Sequence, residues 1–176
     1  MRKLTHHEIV QRQKFKNHEL RLPFCVLLNN IRSLHDVGSI FRTADGTGVK
    51  KIWLCGITGY PPRSEITKTA LGAEKRIPWE YKKDAAAVLR ALKKANYQIV
   101  LLEQMEESVS YQKFKPKAPV CLVIGNEITG VDEMLIPFCD AAIEIEMAGI
   151  KNSLNVSVAF GIIAYYFRNC LKKSRH

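Results

Sequence analysis

Along the chain, short continuous apolar runs alternate with stretches whose apolar positions recur at helical spacing. The runs at 24–28, 52–55, 77–79, 98–102, 120–124 and 142–145 predict strands, and 37–47, 83–95 and 153–171 predict helices. Several of the runs are apolar at every position rather than every second one. That is the pattern of a parallel sheet covered on both faces, so the fold class is α/β with helices on both faces of a parallel sheet. Ahead of the first run, Thr5 and Glu8 form a T-x-x-E capping box, which predicts a short helix over 6–16.

Two of the helical stretches say more. In 37–47, Val37, Ile40, Phe41, Ala44 and Gly48 share a face that packs on the sheet, while Arg42 lies on another. Gly38 precedes Arg42 by one turn and is expected to leave space beside its guanidinium; a surface pairing with Asp45 is the alternative. The last helical stretch has no charged residue over the sixteen positions from Asn152 to Phe167. It falls short of the roughly 20 residues of a membrane span, yet it is apolar on nearly all sides and must be buried on nearly all of them. Ser153, Ser157, Gly161 and Ala164 form a small-residue stripe along it. The expectation is a homodimer packed through this C-terminal helix, with burial inside one subunit as the alternative.

Charge narrows the partner. The chain has 176 residues, 27 Lys+Arg and 17 Asp+Glu, for a net charge of +10. Residues 1–21 hold six basic side chains against two acids, and residues 168–176 hold four with no acid. A basic footprint at both ends points to a polyanion, nucleic acid ahead of a membrane surface. Residues 1–22 are therefore read as a basic N-terminal extension to a domain spanning 23–176. Cys25, Cys55 and Cys121 sit inside apolar runs, no C-x-x-C pair occurs, and the five histidines have no ligand spacing, so no metal is expected. No apolar leader segment precedes the domain, which makes a reducing cytoplasm the expected location.

No G-x-x-x-x-G-K-[ST] or G-x-G-x-x-G nucleotide loop is present. Three other segments carry the chemistry: N-N-I-R-S-L-H-D-V-G-S-I-F-R-T-A-D-G-T-G-V at 29–49, L-V-I-G-N-E-I-T-G-V at 122–131, and I-E-I-E-M-A-G-I-K-N-S-L-N-V-S-V-A-F-G-I-I-A-Y-Y at 143–166. In order and spacing they resemble the three motifs of the SpoU/TrmH family of RNA 2′-O-ribose methyltransferases, a branch of the SPOUT superfamily. K-T-A-L-G-A-E at 68–74 is also similar to members of that family. The resemblance covers about residues 23–170.

The resemblance implies a C-terminal deep trefoil knot, a fold feature that periodicity cannot reveal. It also implies S-adenosyl-L-methionine as cofactor, tRNA or rRNA as substrate, and a homodimer. For the cofactor it points to Gly125, Ile145, Met147, Gly149 and Leu154: the glycines where loops approach closely, the apolar residues as walls for adenine. For catalysis it points to Arg42, Glu127, Ser153 and Asn155, with Asp36 counted among them. Arg42 would act with an RNA phosphate on the 2′-hydroxyl, Ser153 and Asn155 would position ribose and cofactor, and Glu127 would order the site. Ser157 is either a polar participant or a small packing residue. One position departs from the family: Asp36 stands where asparagine is usual. An ionised Asp only accepts hydrogen bonds, and near a phosphate it repels unless Arg42 or Arg32 neutralises it. Asp36 is thus the sequence support for the alternative function, a catalytically silent knotted RNA-binding module.

Overall fold

Five of the six apolar runs become strands of one sheet, and the run at 77–79 leads into another. The structure, a computed structural model, describes residues 1–16 and 21–173. The sheet is seven-stranded, in the order β3-β2-β1-β6-β4-β7-β5, and every pairing in it is parallel. Its strands are β1 (Phe24–Asn29), β2 (Lys51–Cys55), β3 (Trp79–Lys82), β4 (Gln98–Leu102), β5 (Val109–Ser110), β6 (Val120–Ile124) and β7 (Ala141–Glu144). At the centre, β1 and β6 are buried at every position, which is why their sequences do not alternate.

Successive side chains of a strand point to opposite faces, and this divides the core in two. Phe24, Val26 and Leu28 pack with helices α2 (Leu34–Thr47) and α5 (Val156–Lys173). Cys25 and Leu27 face the other way, toward α4 (Ala85–Lys94). The buried cysteines are part of this packing. Burial, helped by the carboxylate of Asp84, pushes the Cys55 thiol up to about 12, so it serves as an apolar group.

Three expectations shift. The third strand begins at Trp79 rather than Ile77, because Ile77 N–H is taken up by the Ala73 carbonyl at the end of the short 3-10 helix over 73–75 and Pro78 has no N–H to give. A helix absent from the reading, α3 (Ser64–Ala70), packs on α2; only Ile66 and Ala70 of it are buried, too few to show a period. The last helix starts at Val156, because the Asn155 side chain accepts from the Ser157 and Val158 amides and caps it.

At the N-terminus the capping box forms as expected. Glu8 N–H donates to Thr5 Oγ1 at 3.3 Å, Thr5 N–H donates to Glu8 Oε2 at 2.8 Å, and α1 (His6–Lys16) follows. Of the basic ends, Arg175 lies outside the described residues. Arg21 is an anchor, donating to the carbonyls of Val49 and Arg76. No helix of the described residues is long and apolar enough to cross a membrane.

Candidate active site and cofactor cleft

In open parallel sheets, ligands bind beyond the carboxyl ends of the strands, where the strand order reverses. Here the chain runs outward from β1 to β3 and then crosses to the other side of β1, and at that end a cleft opens past β4, β6 and β7. Its volume is about 250 Å³. Three chain segments wall it: Leu102–Gln104 after β4, the loop from Gly125 after β6, and the segment from Ile145 to Val156 that leads into α5.

The loop after β6 is held by a polar lattice at the ends of β1 and β4. Asn29 Nδ2 and Asn30 Nδ2 both donate to Asp132 Oδ2, at 3.0 and 2.9 Å, and the Asp132 amide donates back to Asn29 Oδ1. Asn126 Nδ2 donates to the Asn30 carbonyl, while Asn126 Oδ1 accepts from the amides of Ile128 and Thr129. Glu103 Oε2 accepts from the Val131 amide at 3.3 Å. The loop folds so tightly that a Cβ on Gly125 would lie 2.3 Å from the carbonyl carbon of Gly130 and 2.3 Å from Val131 N. Only glycine fits there.

The opposite wall is tied down much less. Among the described residues the backbone N–H and C=O groups of Ile145, Met147 and Leu154 make no hydrogen bond. One side-chain contact, Gln104 Nε2 to the Asn152 carbonyl at 2.6 Å, crosses the cleft to this segment. Where it enters α5 it meets α2: Asp36 Oδ1 accepts from Asn155 Nδ2 at 3.0 Å and from Ser157 Oγ at 2.9 Å. Ser157 Oγ also lies 2.6 Å from Asn155 Oδ1, so its one proton is shared between two acceptors.

A model of the SpoU rRNA Methylase family matches residues 23–165. The chain belongs to this family. The 23S rRNA (guanosine-2'-O-)-methyltransferase RlmB of Pectobacterium atrosepticum is 33% identical to it over 146 residues, 83% of this chain and 59% of that protein. A TrmH/SpoU tRNA modifying enzyme of A. aeolicus superimposes with a TM-score of 0.83 at 27% identity, over 96% of this chain and 85% of that one. An AdoMet-bound rRNA methyltransferase from Sinorhizobium meliloti gives a TM-score of 0.78 at 31% identity, over 83% of this chain and 56% of that one. The chain spans about three-fifths of the length of the first curated relatives it matches.

The SpoU motif residues divide between two places. Gly125, Glu127, Ile145, Met147, Ser153 and Leu154, from the second and third motifs, come together around the cleft. Asp36, Arg42, Asn155 and Gly149 do not line it. Arg42 is exposed on α2, and among the described residues its guanidinium makes no ion pair, with Asp45 or any other acid. The space expected beside it at Gly38 is filled: a Cβ there would sit 2.0 Å from Thr69 Oγ1, so Gly38 is where α3 meets α2. Gly149 has the reverse character, since a Cβ on it would meet nothing within 4 Å.

Roles shift as well. Asn155 spends its side chain on capping α5 and on Asp36. Asp36 forms no ion pair with Arg42 or Arg32 among the described residues; its Oδ1 is met by Asn155 and Ser157, and an asparagine oxygen would accept the same two bonds. Glu127 is exposed and its carboxylate makes no hydrogen bond among the described residues; Asn126, Asp132 and Glu103 order the loop instead. The last two were invisible in the sequence, Asp132 lying just past the second motif and Glu103 in none. The small-residue stripe also breaks up: Ser157 faces Asp36, Ala164 is in the chain's own core, and Gly161 has open space beside it.

Proposed function

We propose that this chain is an S-adenosylmethionine-dependent RNA methyltransferase that transfers a methyl group to a ribose 2′-hydroxyl of tRNA or rRNA. The observation that carries the reading is the cleft, where residues of two SpoU motifs converge at the carboxyl end of a parallel sheet. Its lining suits the cofactor. Ile145, Met147 and Leu154 are apolar walls for an adenine ring, and their unpaired backbone groups are available to its nitrogens. Glu103, Glu127 and Glu144 set carboxylates around the same space, which favours a cationic ligand.

When bound, S-adenosylmethionine supplies an electrophilic methyl group on a sulfonium. The protein's task is to hold a ribose hydroxyl in line with that group and to ease the loss of its proton. Arg42 holds an RNA phosphate with its guanidinium and stabilises negative charge growing on the 2′-oxygen. Ser153 lines the cleft and orients ribose or cofactor. Asp36, Asn155 and Ser157 act one step back, fixing where α5 begins and hence where Ser153 and Leu154 stand.

The rest of the reading follows from family membership. The C-terminal segment threads a trefoil knot, the feature that the family's fold implies. Two copies pair through α5, supported by its outward face, on which Val158 and Tyr165 are 51% and 52% exposed in the single chain. The protein works in the cytoplasm, supported by the free buried thiols of Cys25, Cys55 and Cys121.

Calorimetry with S-adenosylmethionine, followed by methyl transfer to total tRNA and rRNA, tests the proposal. Arg42→Ala is expected to bind the cofactor normally and to transfer methyl groups roughly a hundredfold more slowly or worse. Nuclease digestion and mass spectrometry should place the methyl on ribose. A folded sample that binds no S-adenosylmethionine overturns the reading, and wild-type transfer by Arg42→Ala overturns the role of that arginine.

A further inference from the structure

The loop that follows β2, residues 56–63, takes no part in the cleft, yet it carries an aromatic stack at the same end of the sheet. Tyr60 lies over Tyr81, with ring centroids 4.6 Å apart, and over Trp79 at 6.2 Å and 29°. Trp79 and Tyr81 are two apart on β3 and so share one face of that edge strand. One face of the Tyr60 ring is thus backed by aromatics, while the residue as a whole stays 44% exposed. Beside it, Ile57 is 68% exposed. The Tyr60 hydroxyl makes no hydrogen bond among the described residues, so the ring is not held there by its polar end.

The surroundings are basic. Between residues 63 and 83 six Lys or Arg stand against three acids. Arg63, next to the stack in sequence, is exposed and forms no ion pair among the described residues.

The loop is also coupled to the cleft. Tyr81 Oη donates to the Gly56 carbonyl at 2.8 Å, and the Ile57 amide donates to Asn30 Oδ1 at 3.0 Å. Asn30 is the residue that binds Asp132 and Asn126 in the cleft's own loop. The stack on β3 therefore stands in a set relation to the cleft, three strands from β6 at about 5 Å per strand, a span that a short stretch of single strand covers.

We propose that Tyr60, backed by Trp79 and Tyr81, is a stacking platform for an unpaired base of the RNA, a few nucleotides from the methylated one, with Arg63 on the adjoining phosphate. An aromatic face bordered by cations is how proteins hold bases that are not in a duplex. A base-paired helix has no free base face to offer, so the substrate is single-stranded or looped at this point. The inference rests on the chain being an RNA-binding enzyme.

Titration of the full chain with fluorescent oligo(A), and with a duplex RNA of equal length, tests it. Tyr60→Leu keeps apolar bulk without a π face and should weaken oligo(A) binding roughly five- to a hundredfold. Tyr60→Phe should bind as wild type. Oligo(A) should quench tryptophan emission in wild type, and Trp79→Phe should remove most of that quenching. Arg63→Gln should lower the salt dependence of binding by about one phosphate contact. Equal oligo(A) affinity in wild type and Tyr60→Leu overturns the platform, as does tighter binding of duplex than of single strand. S-adenosylmethionine calorimetry on the same variants separates the two readings. Cofactor binding without a Tyr60 effect sinks the platform alone, and a Tyr60 effect without cofactor binding sinks the enzyme reading alone.

Discussion

The two walls of the cleft are built in opposite ways. In the wall after β6, Asn29, Asn30, Asn126 and Asp132 satisfy one another, and the backbone is packed to the limit that a glycine allows. In the wall between β7 and α5, backbone donors and acceptors are left over and the ties are few. A buried polar group without a partner costs stability, so the first wall is spent on holding shape. The second keeps hydrogen-bonding capacity for a ligand. The contrast predicts that substitutions in the first wall act on folding, and those in the second on binding.

The largest effect is expected at Asp132. Asp132→Ala takes the acceptor from two asparagine amides, one of them on a residue only 1% exposed. A loss of about 2–4 kcal/mol should follow, seen as a Tm lower by roughly 5–15 °C. A melting curve that does not move would erase the distinction between the walls. Asp36 comes next, at the joint between α2 and α5. Asp36→Ala should cost about 1–2 kcal/mol, whereas Asp36→Asn should stay within about 0.5 kcal/mol of wild type, because its carboxamide oxygen accepts the same bonds. Denaturant unfolding of the pair reads this directly, and a large loss in Asp36→Asn would show that the negative charge itself matters at the start of α5.

Leu154, 36% exposed in the second wall, should behave differently. Leu154→Ala is expected to change stability by less than about 0.5 kcal/mol and to weaken S-adenosylmethionine about tenfold by calorimetry, through lost apolar contact. The smallest effect belongs to Gly149. Since a Cβ there meets nothing within 4 Å, Gly149→Ala should leave both Tm and cofactor affinity unchanged. A marked loss of affinity would instead restore the close approach to the cofactor that the motif implies.

Much of this was legible in advance, but unevenly. Continuous apolar runs reveal parallel strands because both faces of such a sheet are covered, and that logic located five of the six longer strands; β3, W-E-Y-K on the sheet's edge, is half polar, and the run at 77–79 met it only at Trp79. The two-residue β5 and the sparsely buried α3 are too short, or too polar, to leave a period. The motif resemblance picked out most of the cleft, while assigning Glu127 an ordering role that neighbouring Asn126 and distant Glu103 perform.

By itself the sequence determined the fold class, the family, the cofactor candidates and the basic character of the surface, because each depends on residue type and local order. Only the tertiary structure decided which polar side chains meet. Asp36 with Ser157, Asn29 with Asp132 and Asn30 with Ile57 are joined across 121, 103 and 27 positions. Hydrogen bonds are made over about 3 Å and carry no periodicity along the chain. Asp36, a departure from its family as a sequence, became in the structure the acceptor that holds the start of α5.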